Sequence, residues 1–409
     1  MLQKDRKKRM DLLMNKETII YFGGFELPNK NASAQRAASI AKSLRDIGYN
    51  VILYGLSRSL SETGGIMDCD VKIQGIEMKE WAYPASTKQW IRHLYSCDRE
   101  IAILKNVQSI KMVICYNYPA VALWNLHRFC NANDIKFTVD VTEWYAPSKR
   151  KFPSNIIKDI DTYLRMKHVQ PLIKNVICIS TFLYNYYKKS ATNCIIVPCT
   201  VDTTEKKWLN AVEYAPNNPI TLGFAGDPGI KCDKERIDLL ISVVCDLNAM
   251  DYPCRLKLAG FDQKEFEDNY PELLTKPFYH ESIYYLGKLS HVECLKLISS
   301  VDYSVIVREN KCAAQAGLPT KLSESFACGT PVITTPTSNI ADFIIEGENG
   351  FITKDFSYGS LLQTIREAYL NRDKLLDTHK FTRENNVLKY NMYTNVIEEF
   401  LNHTNFKKN

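Results

Sequence analysis

The chain has 409 residues, 45% of them hydrophobic and 24% charged, and a formal net charge of +6. That length exceeds one ordinary core and favours two domains, the composition excludes a long disordered region, and no apolar run approaches the roughly 18 residues of a membrane span. Thirteen cysteines without a Cys-x-x-Cys pair, and without a signal peptide, argue against a disulfide framework and lead us to expect a reducing cytosol.

The first 16 residues, with the run KDRKKRM at 4–10, read as a basic solvated tail. Attraction to an anionic membrane surface is the other reading, worth about 1 kcal/mol per basic side chain. No basic stripe with interleaved aromatics occurs, so nucleic acid is not an expected partner. From Thr18 to Tyr54 the pattern is strand, helix, strand: TIIYF, then Ala37, Ile40, Ala41, Leu44 and Ile47 at helical spacing, then NVILY. Gly23 and Gly24 directly follow the first strand, which suits either a structural turn or a close approach by phosphate. The Gly-x-Gly-x-x-Gly string and the acidic residue of a dinucleotide site are both missing, Gly55 standing after the second strand, so a nicotinamide cofactor is disfavoured.

Further strands are expected at 112–116, 136–141, 176–180 and 195–198, which makes the first half an α/β domain. Residues 197–220 mix Pro, Asn and Thr without periodicity and read as an interdomain connection. A second α/β series follows, with strands at 220–226, 255–260, 283–287, 303–307 and 331–335. Its first turn, GFAGDPGIKCDKERIDLLI, places Gly226 before a helix whose opening carries Lys231, Lys234 and Arg236; amides, a helix dipole and cations there suit a diphosphate. Another helix opens at Ser290 with Glu293, a capping box. The last residues, 386–409, read as an amphipathic helix packed back on the first domain. The strings Asp68-x-Asp70 and Asp159-x-Asp161 are too short to carry a metal assignment, the seven histidines show no ligand spacing, and no nucleophile elbow occurs.

The segment from Ala313 to Gly350, with GLPTKLSESFACGTPVITT and EGENGF, resembles the donor-binding region of retaining GT-B glycosyltransferases of family 4, in particular bacterial enzymes of capsule, exopolysaccharide or lipopolysaccharide synthesis. VPCTVDTTEKKW, with Pro198, Val201 and Asp202, is similar to that family's interdomain segment. The resemblance implies an α/β fold of two Rossmann-like doubly wound domains facing a central cleft: 17–199 on the acceptor side and 200–385 on the donor side. It also implies that Glu324 accepts hydrogen bonds from the ribose hydroxyls of a nucleotide sugar, since two carboxylate oxygens can take two vicinal hydroxyls. Donor contacts are expected further at Gly23, Gly24, Gly226, Lys231, Lys321, Gly329 and Thr330.

Two positions depart from the family pattern. Ala316 stands where a second Glu touches the transferred sugar, and Asp227 stands where an Arg follows the glycine. Arg308 and Lys321 are expected to restore the lost positive charge, with Arg308 and either Lys231 or Lys234 stabilising the leaving diphosphate; a degenerate lobe is the alternative. In VDVTEWYAPSKRKF, Glu143 is expected to orient the acceptor hydroxyl, and Trp144 and Tyr145 to stack on a sugar ring or to anchor the fold. The expected reaction is metal-independent transfer, without a cofactor, from a nucleotide diphosphate sugar to a glycan or lipid-linked acceptor. It would occur in the cytoplasm or at the inner face of the plasma membrane. A sugar-nucleotide epimerase and a non-catalytic sugar-nucleotide-binding scaffold are the competing readings.

Overall fold

The computed structural model describes residues 16–28, 31–60, 67–144, 154–209 and 214–403; residues 1–15 of the basic tail, Tyr145 and the basic string at 149–152 lie outside them. The chain divides into two compact units, Met1–Thr200 with Tyr390–Asn409, and Val201–Lys389.

In the first unit the buried run of β1 (Thr18–Gly23) feeds α1 (Ala32–Ile47) and returns as β2 (Asn50–Ser57). Asn31 caps α1 by accepting the Ala34 amide at 2.9 Å, and Gly48 ends it at φ 119°, a left-handed value that a side chain rarely adopts. The strands β3 (Met67–Ile73), β4 (Ile76–Ala82), β5 (Ile110–Tyr116), β6 (Lys136–Val141), β7 (Asn175–Cys178) and β8 (Asn193–Ile196) complete the sheet. Its order is β3-β4-β2-β1-β5-β6-β7-β8, parallel except for the β3–β4 hairpin. The sequence reading passes over β4 because Glu77, Lys79 and Glu80 interrupt its apolar residues; the fold buries Glu80, which accepts the Leu27 amide at 2.6 Å. Two further helices, α2 (Ala120–Ala132) and α3 (Ser154–Leu164), follow β5 and β6. The closing helix Thr394–His403 joins this unit's core through Ile397, Phe400 and Leu401, and Asn193 Nδ2 donates to the Phe400 carbonyl at 2.8 Å.

The second unit is a six-stranded sheet of β9 (Ile220–Ala225), β10 (Cys254–Ala259), β11 (Ile283–Tyr285), β12 (Tyr303–Ile306), β13 (Val332–Thr334) and β14 (Gly350–Ile352). All neighbours are parallel, in the order β11-β10-β9-β12-β13-β14. Counted within the unit this is 3-2-1-4-5-6, the doubly wound Rossmann order. Helix α4 (Ile237–Ala249) buries Ile237, Leu240, Ile241, Val244 and Leu247, the apolar stripe read from the sequence. Helix α5 (His291–Ser299) opens with the Ser290–Glu293 capping box, and α6 (Thr320–Cys328) ends at Gly329.

Candidate active site

In a doubly wound sheet the winding direction reverses between the first and fourth strands, and a crevice opens beyond their carboxyl ends. In the second unit those strands are β9 and β12. Beyond β9 the chain turns at Gly226 (φ 146°), whose amide bonds the Ala259 carbonyl at 2.9 Å. A Cβ at Gly226 would lie 2.6 Å from Lys321 Cε, and one at Gly260 would lie 2.5 Å from the Gly226 carbonyl oxygen. Absence of side chains at both turns therefore lets Lys321 lie across the strand end. The Lys321 ammonium also sits 4.2 Å from the centre of the Phe224 ring.

A pocket of about 240 Å³ occupies this place, its lining including Gly226, Asp227, Gly260, His291, Lys321 and Glu324. Lys321 and Glu324, three residues apart on α6, share one helical face. Glu324 is half-buried and its Oε1 lies 3.3 Å from His291 Nε2. The other Glu324 oxygen has no further partner among the described residues.

Behind Lys321 stands a residue the sequence reading treats only as part of a helix start. Glu235 is fully buried, and its Oε1 accepts from both Arg308 Nε at 2.9 Å and Lys321 Nζ at 3.1 Å. Its Oε2 is buried without a partner among the described residues. Burial alone would raise the Glu235 pKa, but the charges of Lys321 and Arg308 outweigh it and hold the carboxyl below its ordinary value. Desolvation lowers the Lys321 pKa, with Arg308 and Lys234 adding to the fall and Glu235 opposing it. One carboxylate between two cations leaves a net positive cluster beside the pocket. Arg308 is fixed further by Thr335, whose Oγ1 accepts its amide at 2.9 Å.

Lys231 and Lys234 are both exposed on the loop between β9 and α4, Lys231 at φ 50°. Arg236 is held by Asp238 at 2.7 Å and Glu309 at 2.6 Å, so its guanidinium faces carboxylates. Gly329 and Thr330 are buried in the closure of α6: Gly329 (φ 78°) bonds the Phe326 carbonyl at 3.1 Å, and Thr330 Oγ1 donates to the Ile298 carbonyl at 2.8 Å. Neither is among the pocket lining. Ala316, buried at the end of the short helix Cys312–Ala316, brings no polar atom beyond its backbone.

The remaining candidates belong to the first unit. Gly23 is buried, and a Cβ there would lie 2.5 Å from the Phe25 ring; Gly24 is exposed with open space around it. Glu143 is exposed just beyond β6, close enough to Tyr116 for its charge to help burial raise the phenol pKa. Trp144 is half-buried edge-on to Tyr186 and Phe182, with the Lys167 ammonium 4.4 Å from its ring centre. Among the described residues no group of three or more His, Cys, Asp or Glu could hold a metal ion, and no helix is long and apolar enough to cross a membrane.

Residues 233–385 match the family model of the glycosyl transferases group 1. The protein is a glycosyltransferase. The matched stretch contains Glu235, Arg308, Lys321 and Glu324, and the fold of the enzyme is GT-B. At 12% identity it superposes with a TM-score of 0.63 on HepE from Anabaena, crystallised with UDP, covering 94% of this chain and 99% of that one. Sucrose-phosphate synthase from Thermosynechococcus elongatus gives 0.64 at 11% identity, with 95% and 98% covered. The catalytic domain of starch synthase IV from Arabidopsis thaliana, bound to ADP and acarbose, gives 0.66 at 9% identity, with 95% and 99% covered. At these identities the likeness is one of fold. No curated protein matches the glycosyltransferase.

Proposed function

We propose that the enzyme takes its sugar from a nucleoside diphosphate sugar held in the pocket beyond β9 and β12, and delivers it to a glycan or lipid-linked acceptor in cell-surface polysaccharide synthesis. The observation that carries this reading is the placement of Lys321 and Glu324 on the lining of one pocket, backed by the Glu235–Arg308 pair. The arrangement suits a ligand with two vicinal hydroxyls and a nearby polyanion. Glu324 would accept the ribose hydroxyls, and Lys321 and Arg308 would face the diphosphate, with Lys231 and Lys234 able to approach from their exposed loop. The solved neighbours crystallised with UDP and with ADP support a nucleoside diphosphate as the ligand class.

In the reaction the bond between the anomeric carbon and the leaving phosphate oxygen breaks, and a bond from that carbon to the acceptor oxygen forms. The acceptor proton passes to the departing phosphate, on which the bonding electron pair is left. Negative charge therefore grows where Lys321 and Arg308 already stand, and preorganised cations stabilise that growth without reorganising. We take the reaction to retain the donor's anomeric configuration and to need neither metal nor cofactor. Glu143 and Trp144 remain the proposed acceptor-side groups.

The test starts with thermal shifts against UDP, ADP and GDP, because a ligand at a hundred times its Kd stabilises by about 2.7 kcal/mol. The stabilising base is then supplied as its labelled sugar donors with membrane extract as acceptor source, in chelator. Transfer of label to saccharide or lipid, unaffected by chelator, supports the proposal. Isomerisation of the donor alone, or binding without turnover, would overturn it.

A further inference from the structure

An open pocket of about 770 Å³ lies within the first unit, in the size range of small-molecule sites. Along a strand successive side chains point to opposite faces. Leu53 and Met78 turn to the core that α1 covers, and Tyr54, Lys79 and Trp81 therefore turn to the other face, which forms one wall of the pocket. Trp81 stacks there on Tyr54 at 5.1 Å and on Phe22 at 6.0 Å between ring centres. The other wall comes from the helices Thr87–Tyr95 and Asp98–Asn106. Among the described residues none of the lining belongs to β1 or β5, between which the winding of this sheet reverses, or to the segment that carries Glu143. The pocket is thus separate from the acceptor-side groups already named and from the donor pocket of the second unit.

Charge and unspent donors indicate the ligand. Among the described residues the lining includes Arg92 and Arg99 and no aspartate or glutamate; Lys79 is held by Glu77 at 2.5 Å and adds little. The Arg99 guanidinium lies 4.6 Å from the centre of the Trp81 ring. That contact uses its flat face, and the N–H donors, which lie in its plane, remain directed sideways. The one described carboxylate oxygen within ion-pair distance, Glu100 Oε1, is 3.9 Å away and already accepts the Tyr118 hydroxyl. Arg92 meets Asp98 at 3.4 Å with both side chains well exposed, a contact of little strength. His93 touches Trp90 and Tyr118 edge-on, and burial, aided by Arg99, lowers its pKa to about 4. It is therefore uncharged at neutral pH and offers a neutral donor or acceptor, while Ala102, Ile103 and Val107 bring apolar surface. A guanidinium fork suits a phosphate or carboxylate, neutral polar groups suit hydroxyls, and aliphatic side chains suit the C–H faces of a sugar ring. We infer that this pocket binds a saccharide bearing a phosphate or a carboxylate, with the acid group received by Arg99. The inference rests on the first unit alone and does not depend on the transfer reaction.

Calorimetry on the full chain with glucose 6-phosphate, glucuronate, glucose and inorganic phosphate tests it in the absence of any nucleotide. One of the two acidic sugars is expected to bind at least about tenfold more tightly than glucose and than inorganic phosphate, and the preferred one identifies the acid group. Arg99→Gln should weaken that binding by about tenfold or more. Because Arg99 also packs on Trp81, Ala102→Glu is the second variant: position 102 is exposed on its helix, so the added carboxylate should oppose the ligand without changing the melting temperature. Failure of both acidic sugars to bind, inorganic phosphate binding as tightly as the better of them, or undiminished affinity in the folded Ala102→Glu protein would overturn the inference.

Discussion

Each unit sets an arginine against a buried carboxylate, and the two clusters differ in completeness. In the first unit Asp140 on β6 receives Arg36 of α1 through both oxygens, Nη2 to Oδ1 at 2.6 Å and Nε to Oδ2 at 2.9 Å, and also accepts the Tyr21 hydroxyl. Arg36 Nη1 donates onward to the carbonyls of Val197 at 2.7 Å and Pro198 at 3.1 Å. The cluster is closed and nearly inaccessible, with side-chain exposures of 1% and 0%. In the second unit Glu235 shares one oxygen between two cations, and the Arg308 and Lys321 side chains keep 11% and 16% exposure. Net charge and surplus donors remain there. A satisfied cluster holds a fold together, whereas a partly satisfied one at a switch point is a place for an anion to complete.

The largest effect that can break this contrast is on stability. Asp140→Ala strands a buried guanidinium and should cost about 3–5 kcal/mol, read by urea unfolding, while the nucleoside diphosphate affinity of the folded fraction stays the same. Next comes Glu324→Ala, which should weaken nucleoside diphosphate binding by about 2–4 kcal/mol if two charged hydrogen bonds are lost, measured by calorimetry, with little change in melting temperature. An unchanged Kd would remove the ribose assignment.

Acid should affect both units. His93 in the first and His379 in the second have pKa values lowered to about 4, chiefly by burial. His379 stacks on Tyr214 and contacts the Asp302 carbonyl through Nε2 at 2.9 Å. The unfolded state, with a histidine pKa near 6.5, binds protons first as pH falls. Stability is thus fully present above about pH 6.5 and declines towards pH 4, by up to about 3 kcal/mol per histidine. Thermal melts across that range check the slope, and His379→Asn should flatten its own share.

The smallest expected effect is the sharpest test. Glu235→Gln keeps the shape but raises the cluster charge by one, so stability should fall by about 1–2 kcal/mol while diphosphate affinity rises. A fall in affinity would mean that Glu235 serves the ligand by fixing Lys321 rather than by limiting its charge.

The alternation of apolar runs and helical stripes made β1, β2, β9 and α4 legible, because their burial follows local periodicity. Strand β4 was not legible, since its register depends on Glu80 finding the Leu27 amide 53 positions earlier. Lys321 and Glu324 were singled out through the family string that contains them, and Glu235 escaped because nothing in KERID marks it as buried. His291 escaped likewise, as the first residue of a capped helix.

The sequence by itself determined that the chain builds parallel α/β layers, because hydrophobic period and turn chemistry are encoded within a few residues. It also placed one acid beside a helix stop and a strand. Only the tertiary structure decided that a glutamate at 235, an arginine at 308 and a lysine at 321 form one cluster, and that Arg99 lies over Trp81 at the edge of a pocket. Those facts depend on contacts between distant segments, whose strength rises with burial that no local pattern records.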